Sequence, residues 1–220
     1  AGIHGGEATG IWAAREMASW LRGQKVNGQV RILPVANPAA FRKLTRYSPY
    51  DEADLNRIFP GAPEGSPSWV VAHTIWEEAL ASDYLVDLHC CGLFGSDYTL
   101  APWQEFEQAK QLAANIDLPV VIQSGGTRHQ LFIEANYAGI PAVILELAGG
   151  QFGGGGGVLN RESGVRAVTA LKNLLIRLGV LEGEAPANEV TYFGKLEDVR
   201  ALRHALWTPA VKSGALLTQG

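Results

Sequence analysis

Short apolar runs alternate with helix-length segments along most of this chain, and that alternation restricts the fold more than any other feature. Residues 84–88 (Tyr-Leu-Val-Asp-Leu), 119–122 (Pro-Val-Val-Ile) and 142–147 (Ala-Val-Ile-Leu-Glu-Leu) are apolar at successive positions, so both faces of these strands need covering. Helical patterns lie between them. From Glu7 to about Leu21, the residues Ile11, Ala14, Met17, Ala18 and Leu21 share one face while Arg15, Glu16 and Ser19 lie off it, and Gly23 stops the pattern. The same reading expects helices over 70–81, 104–115, 129–138 and 162–178, the last amphipathic and ended by Gly179. Further strands are expected over 30–35, closed by Asn37-Pro38, and over 98–100. Residues 48–68, dense in Pro, Gly and charge, read as a long loop, and loops of that length usually carry function. The expected class is α/β, with three layers: a mostly parallel or mixed twisted sheet and helices on both of its faces.

A chain of 220 residues, 47% of them apolar, can bury a full core as one domain. We assign residues 1–185 to that domain. Its opening Ala1-Gly2-Ile3 reads as the end of a strand, so its first strand is expected to be truncated and a natural chain to extend upstream. From residue 186 the pattern changes to short β-like pieces, 190–193 and 205–207, and 186–220 reads as the beginning of an incomplete C-terminal β domain. A net charge of -4, with 18 Lys and Arg scattered singly, argues against a nucleic-acid or anionic-membrane surface. No apolar stretch reaches the length of a membrane span. Small-molecule chemistry and a cytoplasmic location are the expectations, with self-association left open. The two cysteines, Cys90 and Cys91, are adjacent, cannot form an ordinary staple, fit a reducing compartment and read as packing residues.

Ligands of such sheets bind beyond the carboxyl ends of the strands, where this chain places its unusual polar residues. His4-Gly5-Gly6-Glu7 follows the opening strand remnant, Asp87-Leu88-His89 ends the 84–88 strand, and Glu146 interrupts an otherwise apolar run. Two imidazoles and one carboxylate suffice to hold a catalytic zinc with its fourth tetrahedral position open. A second carboxylate, Glu146, is then placed to take a proton from water and hand it to a leaving amine. His-x-x-Glu alone is a weak motif; Gly5 and Gly6 strengthen it by allowing a tight turn between strand and helix. Without His89, a hydrogen-bonded loop histidine is the simpler reading of His4. Strand alternation puts Asp87 on the face of His89, as the partner of its second ring nitrogen or as an acid facing the substrate. His73, His129 and His204 read as structural or exposed. The run Gly153–Gly157 lacks a phosphate-loop ending and reads as a loop near the site mouth, a gate or simple slack.

His4-Gly5-Gly6-Glu7, Arg46, Asp54-Leu55-Asn56-Arg57-Ile58-Phe59-Pro60-Gly61, Asp87-Leu88-His89 and Glu146, in that order, resemble the succinylglutamate desuccinylase and aspartoacylase family, a branch of the zinc-carboxypeptidase fold. The resemblance covers roughly residues 1 to 180. It implies one zinc ion per chain held by His4, Glu7 and His89, with Glu146 as general base and acid and Arg46 polarising the scissile carbonyl. It also implies that Asn56 and Arg57 bind the carboxylate of the substrate's amino-acid part, a role that suits a guanidinium fork beside an amide donor. Arg42 and Lys43 lie close enough in sequence to compete with Arg46. Relatives often carry an arginine in the helix before the catalytic strand; residues 131–134 offer none, and Arg128 is the nearest candidate for a second anion contact. The implied function is a zinc-dependent deacylase of an N-acyl amino acid resembling N-acetyl- or N-succinyl-aspartate or -glutamate. A metallocarboxypeptidase would use the same constellation on peptides but needs an open groove. A non-catalytic metal or ligand module would leave Glu146 and the arginines without a task.

Overall fold

The computed structural model describes residues 1–150, 157–197 and 210–215. Its elements are α1 (Ala8–Leu21), α2 (Pro38–Lys43), a single 3-10 turn (Leu55–Arg57), α3 (Pro67–Leu80), β1 (Leu85–Gly92), β2 (Tyr98–Ala101), α4 (Glu107–Ala114), β3 (Val120–Gln123), α5 (Leu131–Tyr137), β4 (Ala142–Ala148), α6 (Arg161–Arg177) and β5 (Thr191–Lys195). The five strands lie in the order β1-β4-β2-β3-β5. β1 runs parallel to β4, β2 runs antiparallel to β4, and β3 and β5 follow β2 in parallel. The sheet is mixed, as the alternation of elements allows.

Period-two alternation along β4 separates two cores. Val143, Leu145 and Leu147 pack with Ala13 and Ala14 of α1, Leu112 of α4 and Leu174 of α6. Ala142 and Ile144 turn the other way, against Phe132 and Ile133 of α5. A third cluster joins Ile3, Leu55, Phe59, Ala72 and Leu131, so the 3-10 turn and α3 sit on the α5 side of the sheet. By the same alternation Glu146 belongs to the face of Ala142 and Ile144.

Two expectations fail. Residues 30–35 form no ladder among the described residues, and residues 1–3 are not a strand either. The two segments lie side by side, with Ala1 N donating to Leu33 O, Ala36 N to Ala1 O and Asn37 N to Gly2 O. Pro34 has no N–H to add, and three bonds do not make a strand pair. Asn37-Pro38, expected to close that strand, instead opens α2. The Asn37 side chain accepts from Ala40 N at 3.1 Å, and Pro38 occupies the first turn, where a missing N–H costs nothing.

The 190–193 piece is realised as β5, which extends the main sheet by pairing with β3. Residues 205–207, His204 and 151–156 of the glycine-rich loop lie outside the described residues. Among the described residues no helix is long and apolar enough to cross a membrane.

Candidate active site

The turn from His4 to Glu7 owes its shape to a close approach. Gly5 N donates to Thr45 O at 2.8 Å, and a Cβ on Gly5 would run into the Ala40 carbonyl inside α2. α1 then lies against β1: a Cβ on Gly10 would come within 2.9 Å of Leu88 O. Glycine at both positions lets backbone meet backbone and brings the start of α1 to the end of β1.

There His4, Glu7 and His89 converge, all buried, with one ligating atom of each within 4.8 Å of the others. His4 Nδ1 lies 2.7 Å from Glu7 Oε1, His89 Nδ1 lies 3.1 Å from Glu7 Oε2, and the two rings meet edge-on with centroids 5.1 Å apart. Each imidazole turns its other nitrogen to a second carboxylate: His4 Nε2 to Asp54 Oδ1 at 3.0 Å, His89 Nε2 to Asp87 Oδ2 at 2.8 Å. An Nε2–H given to each carboxylate fixes the tautomer that leaves Nδ1 bare for a cation. Among the described residues Glu7 Oε2 is buried without a hydrogen bond, with His89 Nδ1 3.1 Å away. Such an orphan oxygen between two imidazoles is what a bound cation would satisfy, and two nitrogens with one carboxylate oxygen suit zinc.

Electrostatics reflect that crowding. Burial pushes Glu7 up, but His89 and His4 overcome it and hold the carboxyl at about 2. Asp87 ends at about 2 by the same opposition of burial and His89. Burial lowers His89, and Asp87 and Glu7 raise it well above the usual histidine value; His4 is raised against its own burial by Asp54 and Glu7.

Glu146 pairs in register with His89 on β1 and with Tyr98 on β2, so three side chains line one row across the sheet beside the cluster. Burial, opposed by His89 and assisted by Glu7, lifts its carboxyl to about 7, and it makes no hydrogen bond among the described residues. Cys90 and Cys91 flank the row as thiols: burial first, then Glu7 and Glu146 respectively, pushes them up to about 11 and about 12.

Asp54, the first residue of the 54–61 motif and without a role expected from it, connects the cluster to the cationic residues. Besides His4 it accepts from Asn56 N at 2.9 Å, and Arg46 grips its Oδ2 through Nε at 2.9 Å and a terminal nitrogen at 2.8 Å. Its signal in the sequence is only an Asp two residues before Asn56, as in any Asx turn. Arg46 is thereby brought to the cluster. Asn56 is buried, and its Oδ1 accepts from Leu131 N at 3.0 Å, which leaves its amide nitrogen free to donate. Arg57 spends one nitrogen on Asn56 O at 2.8 Å and, with the Gln130 amide turned to face Thr127 O, on Gln130 at 3.1 Å. Arg128 pairs with Glu134 through Nε at 2.8 Å and a terminal nitrogen at 2.7 Å. A cavity of about 650 Å³ opens between residues 28–33, α1, β1 and α6, and none of these polar residues lines it. Chemistry, not volume, locates the site.

A family model of the succinylglutamate desuccinylase/aspartoacylase catalytic domain matches residues 1–178. The chain belongs to this family. Among curated proteins it is 30% identical over 194 residues to an N-alpha-acetyl-L-2,4-diaminobutyric acid deacetylase of Halomonas elongata, covering 83% of this chain and 54% of that protein. The chain thus spans about half the length of this relative. Among solved structures, a succinylglutamate desuccinylase/aspartoacylase from Rhodobacter sphaeroides superposes with a TM-score of 0.83 at 28% identity, covering 98% of this chain and 67% of the other. A product-bound ectoine utilization protein, EutE (DoeB), from Ruegeria pomeroyi gives 0.75 at 28% identity, with 89% and 60% covered.

Proposed function

We propose that this family member carries the catalytic core of a zinc-dependent deacylase, which hydrolyses the amide bond of an N-acyl amino acid. The observation that carries the reading is the His4, Glu7 and His89 cluster with Glu146 in register beside His89. The Halomonas relative, named for removing an acetyl group from an amino acid, supports the same reaction class.

His4 and His89 through Nδ1, with Glu7 through a carboxylate oxygen, would hold the ion. Zinc bound there supplies Lewis-acid chemistry, acidifying a water and polarising the scissile carbonyl. Glu146, whose affinity for a proton is tuned near neutrality, accepts the water's proton and delivers it to the departing amine. Arg46 keeps one terminal nitrogen clear of Asp54 and donates it to the charge that develops on the carbonyl oxygen. The free amide nitrogen of Asn56 and the open side of the Arg57 fork clamp the carboxylate of the amino-acid part.

Metal analysis of the purified protein, with a hydrolysis screen of acyl amino acids and short peptides, tests the reading. One zinc per chain with turnover of acyl amino acids is expected. Glu146→Gln should keep the zinc and lose about 10³-fold or more in kcat, because proton transfer in both directions depends on that carboxyl. A variant that hydrolyses these substrates at the parental rate would refute the assignment.

A further inference from the structure

Resting on the deacylase reading, we propose that Tyr98 is a positioning residue: its ring walls in the Glu146 side chain from the β2 side and keeps that carboxyl turned toward the metal cluster. Glu146 makes no hydrogen bond among the described residues, so its side-chain torsions are left to packing. The sheet register names its neighbours on that face. Behind it, Ile144 is buried against α5; ahead of it, Ala148 offers only a methyl group. On the β1 side stands His89, itself held by Glu7 and Asp87. The β2 side belongs to Tyr98. Residues directly opposite in an antiparallel pair share a face, with Cβ atoms about 4.5–5.5 Å apart, and Tyr98 is directly opposite Glu146. Leu100, the other β2 residue on that face, pairs with Ile144 and packs in the α5 core, so within β2 only Tyr98 stands beside Glu146.

Tyr98 is itself anchored. Asp97, the residue before it, accepts from Ala148 N at 2.8 Å and from Arg166 Nε at 2.6 Å, which ties the start of β2 to the end of β4. The Tyr98 side chain is half-buried and makes no hydrogen bond among the described residues. Burial first, then the nearby charges of Glu146 and Cys91, disfavours its ionised form. A neutral phenol with no partner for its hydroxyl acts through its ring. The cluster of His4, Glu7 and His89 lies on the β1 side of Glu146 and the ring on the other. Removing the ring opens the side away from the metal ligands, and the carboxyl can rotate into that space. A misplacement of about 1 Å at a reacting group costs about 10²-fold in rate.

Two substitutions separate ring from hydroxyl. On the zinc-loaded protein, with an acyl amino acid that the parent turns over, Tyr98→Ala should lower kcat about 10- to 100-fold while KM and zinc content hold. Restoring the ring as Tyr98→Phe should return kcat to within about threefold of the parent. Where Tyr98→Ala does not fold, Tyr98→Leu, which keeps bulk but not the reach of the ring, takes its place with the same expected direction. Parental kcat without the ring overturns the proposal; so does a Tyr98→Phe protein as impaired as Tyr98→Ala, or a loss of zinc that accounts for the loss of rate. Crystal structures of the zinc-loaded parent and variants read the same point without substrate: one Glu146 conformer where the ring is present, and a carboxyl displaced or split between conformers where it is absent. An unmoved carboxyl overturns the proposal. A parent that turns over no acyl amino acid sinks the deacylase reading instead, and the crystallographic comparison then decides the role of Tyr98.

Discussion

Each imidazole of the cluster is used at both nitrogens, and that sets the role of the two carboxylates behind them. Asp54 and Asp87 orient His4 and His89 and make them better donors, so exchanging either for the isosteric amide should weaken zinc binding by about 10- to 100-fold in chelator competition. The two variants should differ in turnover. Asp54→Asn also removes the charge that Arg46 grips, so it should depress kcat beyond what metal occupancy explains, whereas Asp87→Asn should recover once zinc is saturating. His89 and Glu146 stand out in the sequence as polar residues in or at the end of apolar strand patterns, and His4 and Glu7 as a His-x-x-Glu pair spaced by two glycines. Asp54 does not, since an Asp in a turn is ordinary and its partners lie 8 and 50 residues away.

The end of β4 is pinned by side chains from three other segments. Asp97, buried just before β2, accepts from Ala148 N at 2.8 Å, from Ser163 Oγ and from Arg166 Nε at 2.6 Å; Thr9 of α1 donates to Ala148 O at 3.0 Å. Ala148 stands two residues beyond Glu146, so this lashing fixes where the carboxyl sits. Asp97→Ala should cost about 3 kcal/mol in denaturant unfolding, because it strands a buried N–H and an arginine, and should lower kcat with zinc affinity unchanged. Gly5→Ala should do the reverse: the clash with Ala40 moves the His4 turn, costing about 2 kcal/mol and weakening zinc binding first. The major helices were readable from the sequence to within a few residues because their apolar periodicity is strong. Residues 30–35 misled because a strand needs a partner, which local pattern does not reveal. α2 was missed because it is six residues long and its Asn-Pro start reads equally well as a stop.

The molecule as a whole should respond to pH differently with and without metal. Glu146, ordinarily near 4.5, is lifted to about 7 in the metal-free fold; between those values the unfolded chain releases the proton first, so stability falls as pH rises. His4 and His89 are also raised, and their contribution is complete below 6.5 and fades as pH climbs through their folded values. The three shifts share a sign. Glu7 and Asp87, held near 2, add stability above the ordinary carboxyl range that is lost only as pH falls toward 2. The melting temperature of the chelated protein should therefore decline from pH 5 to 8. Over that interval the increment from added zinc should grow, since the ligands must shed protons to bind. A chelated protein whose melting temperature is level across that range would contradict the shifts.

Two of the three donors come from the first seven residues and the third from position 89, and they meet only where Gly10 lets α1 settle on the Leu88 backbone. A nascent chain offers His4 and Glu7 as a bidentate pair at most, too weak to retain an ion against cellular competitors. If the cluster holds zinc as proposed, the third donor joins the other two only when α1 has docked on β1, so metal uptake should act as a checkpoint on assembly.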